Sequence, residues 1–212
     1  MLLFVVLRLP IQFLIEIISS LNEMNSTRIA ILASGAGTNA QNIIQHFRND
    51  LLVEIVLVAG NNQSAGIVEV AASNNIPFLL LQNRRFKVDG YLEEFEMLRI
   101  NMIVLAGFLL RVPDILIKRF SNRILNIHPS LLPNYGGPGM YGMKVHEAVI
   151  NAREKESGIT IHQVDEIYDH GKIIFQAKCI IDAGETASSL SKKVRLLELQ
   201  HYPQVISQYI SR

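Results

Sequence analysis

The residues best suited to chemistry stand in the second half of the chain. In Asn126-Ile127-His128-Pro129-Ser130-Leu131-Leu132-Pro133 an amide and an imidazole lie two residues apart in an apolar run. On a strand both would point to the same face. A carbonyl under attack by an amine builds negative charge on its oxygen, and the departing amine takes up a proton. An Asn amide donates hydrogen bonds to such an oxygen without titrating, and a His moves protons near neutral pH. A carboxylate beside the imidazole would orient it and raise its pKa. Asp169, in Ile167-Tyr168-Asp169-His170-Gly171, is the candidate, with Asp165 and Glu166 as rivals between which spacing does not choose. The plainer alternative makes Asn126 and His128 hydrogen-bonded structural residues near a sheet edge; His46, His146 and His201 are read as surface or core residues. No hydroxyl nucleophile sits on a strained elbow, so direct transfer is favoured over covalent catalysis.

A second polar feature is Ser34-Gly35-Ala36-Gly37-Thr38-Asn39, which follows the apolar run Arg28-Ile29-Ala30-Ile31-Leu32-Ala33 and opens a helix. Glycines there let the backbone turn tightly, and the first amides of the helix face outward with the positive end of its dipole. That is a seat for phosphate, to which Thr38 and Asn39 add a hydroxyl and an amide. A dinucleotide is disfavoured: position 40 is Ala, and the second strand ends in Gly60-Asn61-Asn62 without the carboxylate that a ribose would need.

These groups need a scaffold, and hydrophobic patterning supplies one. Strands are expected at 28–33, 53–59, 77–81, 102–105 and 124–128, with helices at 41–47, 65–73, 91–98 and 113–119 between or after them. Runs apolar on both faces and separated by helices call for a doubly wound α/β fold: a mostly parallel sheet with helices on both faces. Residues 160–164 and 172–181 are spaced as an antiparallel hairpin at the C-terminal side. A late helix is expected at 188–199, with Leu190, Val194 and Leu197 inward. Residues 25–212 read as one domain.

Composition narrows the partners. The 212 residues carry a formal net charge of +1 with no long basic run, which argues against nucleic acid and anionic membranes. One cysteine, Cys179, allows no internal disulfide and no zinc cluster, so no metal is expected and a reducing, cytoplasmic setting fits. Residues 1–24 are strongly apolar but are broken by Arg8, Pro10 and Glu16, and are read as an extension that does not belong to the domain and does not span a bilayer. Small-molecule substrates and a monomer or weak homodimer are the expectation.

The ordered motifs resemble the phosphoribosylglycinamide formyltransferases, folate-dependent enzymes of purine synthesis, over nearly all of 28–212. The resemblance rests on the glycine loop, on Val104-Leu105-Ala106-Gly107-Phe108, on 126–133, on Gly158-Ile159-Thr160-Ile161-His162, and on Glu198 followed by His201-Tyr202-Pro203. It implies that Asn126, His128 and Asp169 are the catalytic trio, and this family match is what selects Asp169 over Asp165. It implies further that Gly37, Thr38 and Asn39 hold a ribosyl phosphate and that Glu198 contacts the glycinamide substrate. The donor, 10-formyltetrahydrofolate, would lie along Leu109, Leu110, Arg111 and Val112, by Asn126 and against the loop 163–169. A basic residue after the third strand also touches folate in relatives, and Arg84, Arg85 and Lys87 compete for that place. Relatives often have two glycines after the aspartate where this chain has His170-Gly171, and the loop 134–143 is longer than in many members. Other readings are a related transferase or hydrolase using another acceptor, or a non-catalytic phosphate sensor on the same fold.

Overall fold

Strand β1, Thr27–Leu32, turns Ile29 and Ile31 into one apolar layer and Ala30 and Leu32 into the other, all four fully buried. A strand covered on both faces has no use for polar alternation, which is why its sequence is a continuous apolar run. The computed structural model in which this is seen describes residues 26–211; the reading of 1–24 as an extension falls outside the described residues. Six more strands complete the sheet: β2 Val53–Gly60, β3 Phe78–Leu80, β4 Met102–Leu105, β5 Ile124–His128, β6 Glu156–Gln163 and β7 Ile173–Ile180. Their spatial order is β3-β2-β1-β4-β5-β6-β7. The first five run parallel, and β6 and β7 add an antiparallel pair at the C-terminal side.

Because β1 pairs with β2 on one side and β4 on the other, the chain reverses its travel across the sheet at β1. In open α/β sheets a crevice forms at such a point, beyond the carboxyl ends of the strands. One layer is built by α1 Thr38–Phe47, α2 Gly66–Ser73 and the long α7 Ala187–Ile210, whose Ile43, Phe47, Ile67, Val194 and Tyr202 pack on the sheet. The opposite layer comes from α3 Asn83–Asp89, α4 Leu92–Met97 and α5 Asp114–Arg119, through Phe86, Phe95 and Leu116. The remaining helix, α6 Met143–Asn151, follows the glycine-rich loop after β5.

The doubly wound fold agrees with the sequence reading, and the differences have local causes. Helices α3 and α6 were not anticipated; each is short, and α3 buries only Phe86, too little for a periodic signal. Strand β6 starts at Glu156, before the apolar run, because Gly158 lets it lie against β7: a Cβ there would stand 1.9 Å from Ala177 O. Helix α7 runs eleven residues past its expected end and carries Pro203 in its interior. A proline withholds the N–H that the carbonyl four residues earlier would accept. Here that carbonyl, Leu199 O, accepts instead from Asn42 Nδ2 at 2.6 Å, a side chain of α1.

Asn42→Ala should therefore cost about 1 kcal/mol, the typical net worth of one hydrogen bond, since the site is only partly buried. In a Pro203→Ala background, where the helix regains its own donor, the same change should cost measurably less; urea unfolding of the four proteins in this cycle reads the difference.

Candidate active site

Asn126 and His128 both emerge at the end of β5 into one cavity of about 640 Å³, a volume within the range of small-molecule sites. The cavity also takes in the glycine loop, the strip 109–112, the loop 164–169 and the first turn of α6. Asp169 reaches it from the loop after β6. Its Oδ2 lies 3.5 Å from His128 Nδ1 and accepts from the Gly137 amide at 2.8 Å, and its Oδ1 lies 3.6 Å from His162 Nε2. Asp165 turns to its own loop, accepting from the Ile167 amide at 2.9 Å and facing His170 Nδ1 at 3.4 Å. The structure thus brings Asn126, His128 and Asp169 together, while Asp165, which also lines the cavity, is bonded within its own loop.

Two backbone carbonyls settle the proton positions. A carbonyl only accepts hydrogen bonds, so a ring nitrogen facing one carries the proton. His128 Nε2 faces Tyr135 O at 2.8 Å and His162 Nδ1 faces Gln163 O at 2.7 Å. In the neutral rings this leaves lone pairs on His128 Nδ1, toward Asp169, and on His162 Nε2. The latter accepts from Asn126 Nδ2 at 3.1 Å, which orients the Asn126 amide and leaves it one further N–H to donate.

Burial pushes the His128 pKa down, and although Asp169 and the Tyr135 carbonyl pull it up, the net shift is downward. The expectation of a raised imidazole is corrected accordingly: desolvation of a ring only 4% exposed outweighs its carboxylate neighbour. Burial pushes Asp169 up, but the imidazoles of His162 and His128 in their protonated forms, together with the Gly137 amide, hold it below the ordinary carboxylate value. Asp169 adopts a left-handed backbone, φ 55°, which Asp tolerates better than most residues. The next residue, His170, has no positive φ, so its side chain costs nothing in backbone strain. Gly171 is the position that excludes a side chain: a Cβ would meet Gln163 O at 1.9 Å.

At the other end of the cavity Gly37 caps α1 with φ 78°, followed by Thr38 and Asn39. Asn39 Nδ2 donates to Glu198 Oε2 at 2.9 Å, and burial raises the Glu198 pKa against the pull of Asn39 and Arg195. Asn39 Oδ1 is buried with no partner. Leu109, Leu110, Arg111 and Val112 line the cavity, and the Leu109 amide donates to Ser34 Oγ at 3.0 Å, tying this strip to the glycine loop. Arg111 is bonded to Asp114 Oδ1 at 2.6 Å and Glu166 O at 3.1 Å. None of Arg84, Arg85 and Lys87 lines the cavity; Arg85 is paired with Asp89 and Glu94 and stacked over Tyr91.

Three cavity residues escaped the sequence reading. His162 lies across the β5–β6 ladder from Asn126, a pairing that no local pattern reveals. His146, on α6, is 5% exposed and lines the wall near His128. Arg195, one helical turn before Glu198, donates through Nη2 to Thr38 Oγ1; that i, i+3 spacing was the available signal.

An NMR titration of His128 should give a midpoint below the ordinary 6.5. In Asp169→Asn, which removes the charge that favours the imidazolium, the midpoint should fall further.

Comparison with known proteins is consistent with this geometry. The family model described as formyl transferase matches residues 27–206. A chloroplastic phosphoribosylglycinamide formyltransferase of Arabidopsis thaliana is 37% identical over 202 residues, covering 92% of this chain and 69% of that protein. The protein of the same name from Vigna unguiculata is 37% identical over 188 residues, covering 84% of this chain and 59% of that one. A crystal structure of phosphoribosylglycinamide formyltransferase from Bacillus halodurans, 34% identical, superposes with a TM-score of 0.79 over 87% of this chain and 96% of that one.

Proposed function

We propose, given that this chain belongs to the formyl transferase family, that it transfers a formyl group from 10-formyltetrahydrofolate to the amine of phosphoribosylglycinamide in purine synthesis. The observation that carries this reading is the convergence of Asn126, His128, His162 and Asp169 in a cavity that also contains the glycine loop. The polar groups suit a reacting carbonyl, and the loop suits a phosphate.

Gly37, Thr38 and Asn39 offer the amides opening α1, the Thr38 hydroxyl and the nearby Arg195 to the acceptor's phosphate. Glu198 and the unpartnered Asn39 Oδ1 supply acceptors for its hydroxyl or amine hydrogens. The donor fits the other side: Leu109, Leu110 and Val112 make an apolar wall, and Ile167 and Tyr168 stand exposed at the mouth. When bound it supplies an activated formyl carbon and an amine leaving group.

Asn126 donates its remaining N–H to the formyl oxygen as charge grows there, in an orientation held by His162. His128, neutral before reaction, takes the proton shed by the attacking amine at Nδ1, where Asp169 at 3.5 Å favours the resulting cation. It then returns that proton toward the departing nitrogen, directly or through water tied to Asp169. No covalent enzyme intermediate is required. Every group comes from one chain, so a monomer or weak homodimer suffices. A cytoplasmic location stays part of this proposal, supported by the single cysteine; among the described residues no helix is long and apolar enough to cross a membrane, and the two plant relatives are named as chloroplastic.

Absorbance of the deformylated folate, followed with and without phosphoribosylglycinamide, tests the reading: turnover should depend on the acceptor. Asn126→Ala should lower kcat on the order of 100- to 1000-fold, as loss of one oxyanion donor does. His162→Leu, which leaves the Asn126 amide in place but removes the partner that orients it, should lose less. Wild-type turnover in Asn126→Ala would refute the role given to the amide.

A further inference from the structure

The glycine loop takes its shape from a helix that never reaches the cavity. Gly35 O accepts from the Ile67 amide, in the first turn of α2, at 3.2 Å. The next loop residue, Ala36, lies directly over Gly66: a Cβ on Gly66 would stand 2.9 Å from Ala36 O, 3.2 Å from its Cα and 3.3 Å from its carbonyl carbon. The residue after that, Gly37, sits against Ile67, whose Cα and Cδ1 would both be 3.0 Å from an added Cβ. Three successive loop residues thus rest on two residues of α2. The helix has no room to retreat, since Ile67 is fully buried in the core between α1 and the sheet. Gly66 and Ile67 are absent from the cavity wall.

Gly66 differs from Gly37 in a useful way. Gly37 has a left-handed backbone that penalises any side chain, whereas Gly66 has no positive φ, and the three atoms nearest to a methyl group there all belong to the backbone of Ala36. Backbone atoms in a tight loop do not yield as a side-chain tip does.

We propose that Gly66 is a positioning residue for acceptor binding: its missing side chain lets the first turn of α2 serve as the template that holds residues 35–39 in their phosphate-binding shape. This rests on the functional reading above. The donor strip should be insulated, because its link to the loop runs through Ser34, which precedes the α2 contacts and is fixed to β4's end by its amide to Gly107 O at 3.1 Å.

The test is steady-state kinetics of Gly66→Ala with both substrates varied, alongside thermal unfolding. The KM for phosphoribosylglycinamide should rise roughly tenfold or more while the KM for the folate donor stays within about twofold, because displaced amides weaken uniform binding of the phosphate only. A merely structural role would lower stability and move both constants together. Ile67→Val, which removes the Cδ1 methyl against Gly37 and is a mild core change, should show the same one-sided rise at smaller size, and decides the matter if Gly66→Ala yields no folded protein. An unchanged acceptor KM, or parallel rises for both substrates, overturns the inference while leaving the functional reading intact. A wild-type enzyme with no acceptor-dependent turnover overturns that reading and this inference with it.

Discussion

The chemistry of this cavity depends on two imidazoles each pinned by a backbone carbonyl, Tyr135 O behind His128 and Gln163 O behind His162. Without those carbonyls either ring could carry its proton on either nitrogen, and the site would be a mixture of tautomers. With them, His128 presents Nδ1 to Asp169, and His162 presents Nε2 to the Asn126 amide. The amide then has one defined N–H left to give. Preorganised donors of this kind stabilise developing charge without paying for reorientation during the reaction.

The carbonyls hold their places because the loops that bear them are themselves satisfied. Gly137 N–H bonds Asp169, so the segment that pins His128 also anchors the carboxylate facing it. Beneath it, Thr160 Oγ1 donates to Ser130 O and accepts from the Leu132 amide, and Gln176 Nε2 donates to Leu132 O. Strands β5, β6 and β7 thereby hold the loop that follows β5 with side chains as well as through the ladder. Buried polar networks that are filled in this way are rigid, and a rigid wall suits a reaction that needs its groups aligned before substrates arrive.

The two ends of the cavity obey different physics. At the His128 end, burial favours the neutral imidazole, and the charge of Asp169 opposes it without reversing the downward shift. At the glycine-loop end, fixed backbone dipoles and an exposed guanidinium favour an anion that remains charged throughout. Glu198, its pKa raised by burial, is joined to Asn39 at that same end. The glycine loop follows β1 at the switch point of the sheet, and Asn126 and His128 end β5, which pairs with β4 on the far side of that point.

The amino-acid sequence by itself determined the layered α/β architecture, since apolar runs too continuous for a one-sided sheet alternate with helices, and it determined that Asn126 and His128 share a strand face, since strand geometry is local. It also carried the glycine loop, in which Gly37 takes a left-handed backbone, φ 78°. Physics applied to the sequence could not separate Asp169 from Asp165, because loop spacing does not say which side chain turns inward; the fold shows Asp165 bonded within its own loop. His162 was invisible as a partner of Asn126 because the β5–β6 pairing joins residues 36 apart; Arg195 could be placed beside Glu198 by helix spacing, but its bond to Thr38 spans 157 residues and needs the fold. The pKa of His128 was misjudged in direction for the same reason. Charge neighbours can be guessed from motifs, but burial is a property of the assembled chain, and here burial is the larger effect.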